Sequence, residues 1–243
     1  MDLDVIYNED CLIGMDRIPD KSINMVLCDP PYQQTSRNKW DTIIPFEQFW
    51  IQIDRIAKDN AAIVLFANGM FTADLMQSNR KNWRYNLIWK KTQPTGFMNS
   101  HKMPLRAHED ICIFYRKLPT YNPQKTTGAR KISKASHHVN AQQTLNYGKY
   151  EFADYDSIER YPISVIEFAK DTQKSSWHPT QKPLALCEWL IKTYTNPGDI
   201  VCDPCAGSMT TAIACRNTGR RYICFEKDKE IYNIGIQRIE SEG

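Results

Sequence analysis

Short apolar runs alternate along the chain with segments whose apolar residues recur every three or four positions. Residues 23–28 and 61–67 are nearly continuous apolar runs of strand length, which predicts buried strands. Between them Phe46, Phe49, Trp50, Ile53 and Ile56 keep helical spacing and predict a helix over 46–56. The pattern continues with a short helix at 70–77, strands at 84–90 and 111–116, and a strand at 163–168. Further on, Pro183 suits the first turn of a helix over 184–194, closed by the turn Asn196-Pro197-Gly198-Asp199. A strand at 200–202, a helix at 209–217, a strand at 221–226 and a helix at 230–239 complete the series.

Apolar strands alternating with helices predict an α/β fold, a mostly parallel sheet with helices on both faces. After 116 the rhythm breaks: the prolines and polar residues of the basic segment argue against regular structure until the strand at 163–168, and a loop-rich insertion is expected near 117–176. A chain of 243 residues, 42% hydrophobic and 24% charged, is ordinary globular material, which excludes disordered and fibrous classes. The longest apolar stretch, near 61–71, is too short to span a bilayer, so no membrane partner is expected. The acidic start Met1-Asp2-Leu3-Asp4 does not resemble a secretion signal, and the expected compartment is the cytoplasm.

Most of the eight cysteines lie inside apolar runs, as Cys28, Cys112 and Cys224 do, and read as buried free thiols. Cys202 and Cys205 form a single Cys-x-x-Cys with no second pair to complete a zinc site, so no metal is expected. The net charge of +3 says little, but its distribution says more. Between Arg116 and Tyr150 there is no acidic residue, while Lys125, Arg130, Lys131 and Lys134 are present, with His137 and His138 beside them. Such a segment can neutralise phosphates, or it can be a solvated loop.

Two turns carry candidate chemistry. Cys202-Asp203-Pro204-Cys205-Ala206-Gly207-Ser208 joins a predicted strand to a predicted helix, the place where α/β sheets bind ligands. Gly207 lets a ligand approach the backbone, and Ser208, Thr210 and Thr211 can line the helix start. About 23 residues after Asp203, Glu226 ends the next strand, where a carboxylate can bind ribose hydroxyls. A single glycine does not make a dinucleotide fingerprint, which disfavours a nicotinamide enzyme. At the other turn, Asp29-Pro30-Pro31-Tyr32, the prolines remove amide donors and leave carbonyls free to accept. A carboxylate and a carbonyl could together hold an amino group, with the Tyr32 ring stacked on the heterocycle that bears it.

Asp29-Pro30-Pro31-Tyr32, then His178-Pro179-Thr180-Gln181-Lys182-Pro183, then Asp203–Thr211 resemble, in this order, the β-class of amino-methylating DNA methyltransferases. Supporting likenesses are Asn8-Glu9-Asp10-Cys11, Trp40-Asp41, Trp89-Lys90-Lys91 and His108-Glu109. The resemblance covers roughly 1–116 and 177–240. It implies a Rossmann-like S-adenosylmethionine-dependent methyltransferase fold with a catalytic part at 1–116, a target-recognition region at 117–176 and a cofactor-binding part at 177–243.

The resemblance also assigns roles. Asp203, Pro204, Ala206, Gly207, Ser208, Thr210 and Thr211 would wrap the methionine part of S-adenosylmethionine, Glu226 its ribose, and Asp10 with Cys11 its adenine. Lys182 would meet the cofactor carboxylate. Asp29 and the Pro30 carbonyl would accept the exocyclic amine of a base flipped out of double-stranded DNA, with Pro31 fixing the turn and Tyr32 stacking. On their charge, and not from the resemblance, Lys125, Arg130, Lys131 and Lys134 are the candidates for phosphate contacts. A homodimer and a cognate restriction nuclease are partners of the kind the resemblance suggests. The expected reaction is methylation of adenine N6, because Asp stands at position 29 where the cytosine-N4 pattern more often has Ser; cytosine N4 is the alternative, and an RNA or protein amine a more distant one. In two places the chain departs from the family pattern: Cys205 stands where an aromatic is usual, and Met209 where glycine is usual, which is expected to add a Cβ near the cofactor.

Overall fold

In the computed structural model, residues 2–32, 43–135, 153–171 and 181–241 are described. His178, Trp40-Asp41 and the His137-His138 pair lie outside the described residues. The chain forms two compact units, Met1–Asn122 with Ser164–Gly243, and Pro123–Ile163.

The larger unit is built on an eight-stranded sheet. Its strands are β1 (Val5–Tyr7), β2 (Ile23–Cys28), β3 (Ala57–Ala67), β4 (Trp83–Thr95), β5 (Arg106–Phe114), β8 (Val165–Phe168), β9 (Ile200–Asp203) and β10 (Arg221–Phe225). They lie in the order β1-β10-β9-β2-β3-β5-β4-β8. The pairs from β1 through β3 are parallel, β5 runs antiparallel to both β3 and β4, and β8 is parallel to β4.

The apolar runs of the sequence are continuous because both faces of this sheet are covered. Along β2, Met25 and Leu27 face one core with Val64, Phe66, Leu190 and Ile191. Val26 and Cys28 face the other, with Phe49, Ile53 and Phe225. The first core is closed by α4 (Leu184–Tyr194) and α5 (Thr210–Thr218), and the second by α1 (Cys11–Met15), α2 (Phe46–Ile56) and α3 (Met70–Ser78). In α2 the buried residues are Phe49, Trp50, Ile53 and Ile56, the helical spacing read from the sequence. The last helix, α6 (Lys229–Ser241), buries Gly235 and Arg238.

The smaller unit corrects one expectation. The basic segment is not without regular structure: β6 (Thr126–Ser133) and β7 (Tyr155–Arg160) pair antiparallel. Its acidic partners come from beyond the acid-free stretch. Arg130 makes two bonds to Asp156, at 2.8 and 2.6 Å, and Lys125 meets Glu159 at 2.8 Å while lying over the Tyr161 ring. Cross-strand charge pairs of this kind favour a ladder that has little apolar burial of its own. Lys131 and Lys134 are exposed and make no ion pair with the described residues.

Candidate active site at the carboxyl edge of the sheet

Parallel strands β2, β9 and β10 end on the same edge, and the turns that leave them border one cavity of about 940 Å³. Asp10, Asp29, Tyr32, Lys182, Asp203 and Glu226 all line it. That volume lies near the top of the range for small-molecule sites, room for more than a single small ligand.

On one side stands the turn after β9. The Asp203 carboxylate accepts the Cys205 amide at 3.0 Å and the Thr211 hydroxyl at 2.5 Å. Burial pushes Asp203 up to about 7 against the pull of these donors. Gly207 takes the left-handed conformation, φ +52°, and a Cβ there would meet nothing within 4 Å, so the backbone faces open space. Glu226 accepts the Gly207 amide at 2.9 Å through one oxygen and the Asp228 amide at 2.8 Å through the other. Burial raises its pKa against the Asp228, Gly207 and Lys227 amides, and the carboxylate keeps acceptor capacity for a further donor. Asp10 caps α1 through the Leu12 amide at 2.9 Å and meets Lys227 at 2.9 Å. Burial raises its pKa, but Lys227 and the amide outweigh burial and hold it below the usual carboxylate value.

A residue that sequence reading missed braces this turn from behind. Arg238, on α6 and fully buried, donates to the Ser208 carbonyl at 3.0 Å and to the Thr210 hydroxyl at 2.8 Å. The expectation for Met209 is also corrected. It does sit in the left-handed region, φ 63°, which accounts for glycine being usual there. Its side chain, however, is wholly buried against α6 and does not line the cavity; a Cβ placed on Gly235 would fall 2.5 Å from Met209 Cγ. Cys205 does line the cavity, and its thiol lies in hydrogen-bond reach of Cys11 and Cys28. Burial pushes Cys28 up to about 12 against its hydrogen bond to Cys205. At Cys205 the bond to Cys11 pulls down, but the bond to Cys28 and burial outweigh it and hold the thiol well above its ordinary value, the opposite of what a thiolate nucleophile needs.

Across the cavity lies the tetrapeptide after β2. Asp29 Oδ1 accepts the Tyr32 hydroxyl at 2.5 Å, and Asp29 Oδ2 accepts the Lys182 ammonium at 2.6 Å. The Tyr32 ring packs on Phe71, centroids 4.8 Å apart. Lys182 also meets Glu109 at 3.3 Å, and Glu109 meets Lys91 at 2.6 Å, all three well buried. Burial works against charge in this group, but Asp29 and Glu109 outweigh it at Lys182 and hold its pKa above the ordinary lysine value. Lys182 and Lys91 likewise hold Glu109 below the usual carboxylate range. Burial, with Asp29 and Glu109 adding to it, raises Tyr32 far above an ordinary phenol and keeps its hydroxyl a neutral donor.

The structure therefore brings Asp29, Pro30, Pro31 and Tyr32 together with the residues expected to hold a cofactor. It places the Lys182 ammonium on Asp29 and Glu109. Glu109 and Lys91 were not among the expected site residues. Their signal lay in the strand alternation: Trp89 pairs with Glu109 and Leu87 with Ile111, so Lys91 follows Leu87 and Trp89 on a buried face.

The sheet order and the turn at β9 fit the fold of S-adenosylmethionine-dependent methyltransferases. The residues fit that cofactor. A glycine faces open space, Glu226 has acceptor capacity left for a ribose hydroxyl, and carboxylates surround a cavity that would receive a cationic sulfonium. A family model described as DNA methylase matches residues 23–237, and the chain belongs to that family. A Type II methyltransferase of Moraxella bovis, M2.MboI, is 29% identical over 259 residues, spanning 96% of this chain and 86% of the relative. The M1.HpyAVI complex with S-adenosylmethionine superposes with a TM-score of 0.64 at 22% identity, covering 96% of this chain and 98% of that one. The cytosine-N4-specific PvuII DNA methyltransferase gives 0.69 at 15% identity, covering 96% and 85%. The protein is a DNA methyltransferase of the N6/N4 amino-methylating family and uses S-adenosylmethionine.

Proposed function

We propose that the protein methylates the N6 amine of an adenine extruded from double-stranded DNA. One observation carries this reading: the Asp29 carboxylate and the cofactor turn border the same cavity, the carboxylate held in place by Lys182. S-adenosylmethionine supplies the methyl group. Asp203 and the 204–211 turn would hold its methionine part, Glu226 the ribose, and Asp10 with Cys11 the adenine.

An exocyclic aromatic amine is a weak nucleophile because its lone pair is delocalised into the ring. Asp29 and the Pro30 carbonyl would accept its hydrogens and draw the nitrogen toward a tetrahedral geometry, the lone pair aimed at the methyl donor. To do so the amine takes the place of the Tyr32 hydroxyl on Asp29. Tyr32, released, stacks on the base. Lys182 keeps a cation on the other carboxylate oxygen throughout. Its place on Asp29 supports a positioning role more directly than contact with the cofactor carboxylate. Unit 123–163, with Lys131 and Lys134, would contribute phosphate contacts, within a target-recognition region spanning 117–176. The Type II relatives suggest a role in restriction and modification beside a cognate nuclease.

Transfer from labelled S-adenosylmethionine to mixed-sequence duplex DNA, followed by nucleoside analysis, tests the reading with Asp29→Ala as control. N6-methyladenine that disappears in the variant is the expected result. N4-methylcytosine would overturn the base assignment and keep the site.

A further inference from the structure

The hairpin between β4 and β5 carries apolar side chains that the described residues leave uncovered. Phe97 is 77% exposed and Met98 93% exposed, with Met103 and Leu105 exposed beside them. The tip is nonetheless well defined by its backbone. Gly96 enters in the left-handed region, φ +92°, and the single helical turn Phe97–Asn99 follows. The Asn99 amide returns to the Gly96 carbonyl at 2.9 Å, the Ser100 amide to Phe97 at 2.9 Å and the Lys102 amide to Asn99 at 2.9 Å. The chain thus holds Phe97 and Met98 outward on an ordered knuckle.

Register places this knuckle beside the cavity mouth. β5 is antiparallel to β3, so the amino end of β5 rises on the edge where β2 and β9 deliver Asp29 and Asp203. Glu109 lines the cavity, and Arg106 at the base of the tip stands three residues further out along the strand, roughly 10 Å at strand rise. The charge is one-sided. From residue 92 to 108 there is no Asp or Glu, while His101, Lys102, Arg106 and His108 are present. Exposed apolar residues flanked by cations suit a polyanion whose interior is apolar, which describes a DNA duplex opened at a base step.

We propose that residues 96–105 form a wedge that enters the duplex beside the target base, Phe97 and Met98 filling the space the base vacates and Lys102 and Arg106 neutralising flanking phosphates. The inference rests on the base-extrusion reading above and adds to it the element that opens the stack. A wedge of this kind makes its contribution only when the base begins paired and stacked.

The test uses a duplex carrying the recognition sequence, itself read from the methylated positions of mixed-sequence DNA. A second duplex has the target base opposite an abasic site, so that it is already unpaired. The variant is Phe97→Ala with Met98→Ala, both exposed and outside the two described cores. Relative to the unsubstituted protein, kcat/KM should fall about 10- to 100-fold on the paired duplex and return to within about 3-fold on the abasic one. Cofactor binding should be unchanged. Equal loss on both substrates, or no loss on either, would overturn the wedge. So would a change of oligomeric state in the variant, which would make the tip an interface between copies. Absence of label from the unsubstituted protein on any DNA would overturn the methylation reading itself and the wedge with it.

Discussion

The Lys182 ammonium lies 2.6 Å from Asp29 Oδ2, joining the start of α4 to the end of β2. Asp29 meets Tyr32 on its other oxygen, and Lys182 extends to Glu109, which in turn meets Lys91. The group alternates in sign, Lys91, Glu109, Lys182, Asp29, and that alternation is what permits four ionisable groups to lie together behind and along one wall of the cavity, the last three lining it.

Lys182→Met should therefore lower methyl transfer roughly 10- to 100-fold, the usual worth of a charged hydrogen bond, with cofactor affinity within about 3-fold of its original value. Lys182→Arg should restore part of the rate. Calorimetric titration of S-adenosylmethionine beside single-turnover kinetics checks both. If affinity falls as far as the rate does, Lys182 serves the cofactor carboxylate instead.

Asp203 gives a pH dependence of stability. Its carboxyl is raised from the model-peptide value of 3.8 to about 7 by burial, so the native state keeps a proton that the unfolded chain releases. Stability from this group is full below 3.8 and is lost as pH rises toward 7, by roughly 4 kcal/mol in all at 1.36 kcal/mol per unit. Asp203→Asn should flatten the decline between pH 4 and 7. Denaturant melts of both proteins across that range measure it, and parallel curves would refute the assignment.

Gly235 and Met209 should behave as a coupled pair. Gly235→Ala sets a methyl 2.5 Å from Met209 Cγ and 3.1 Å from the Gly207 carbonyl, so cofactor binding should weaken although the helix gains propensity. Met209→Ala beside it should recover part of the loss. Met209→Gly alone should relieve a left-handed residue yet cost about 2–5 kcal/mol of stability through the cavity it leaves, with cofactor affinity little changed. A double-mutant cycle in affinity and melting separates these effects.

The basic residues of the smaller unit divide into two kinds. Lys125 and Arg130 already face Glu159 and Asp156, whereas Lys131 and Lys134 have no such partner among the described residues. Removing Lys131 and Lys134 together should reduce the slope of log affinity for DNA against log salt by about 2, and removing Lys125 and Arg130 by clearly less. Equal changes would show that the internal pairs open on binding.

What the sequence made legible follows from which residues carry a periodic signal. β2, α2 and α4 are buried in unbroken or helical patterns, and their ends coincide with those read from the pattern. β1 and α1, three and five residues long, are too short for any period to register. β6 and β7 are exposed almost throughout, so their pairing rests on partners far apart in sequence. The same limit hid Glu109, Lys91 and Arg238. A lone charge in a strand or helix reads as solvated until the partner arrives from another element, and only the tertiary fold supplies Lys182 to Glu109 or the Ser208 carbonyl to Arg238.

Arg238 has a further consequence, in the order of synthesis. The turn it grips is made early relative to it, and α6 emerges from the ribosome after every strand of the sheet. A chain cut short of α6 would keep its whole catalytic tetrapeptide and every strand of the sheet, yet Ser208 and Thr210 would lose the Arg238 brace on the seat of the methyl donor.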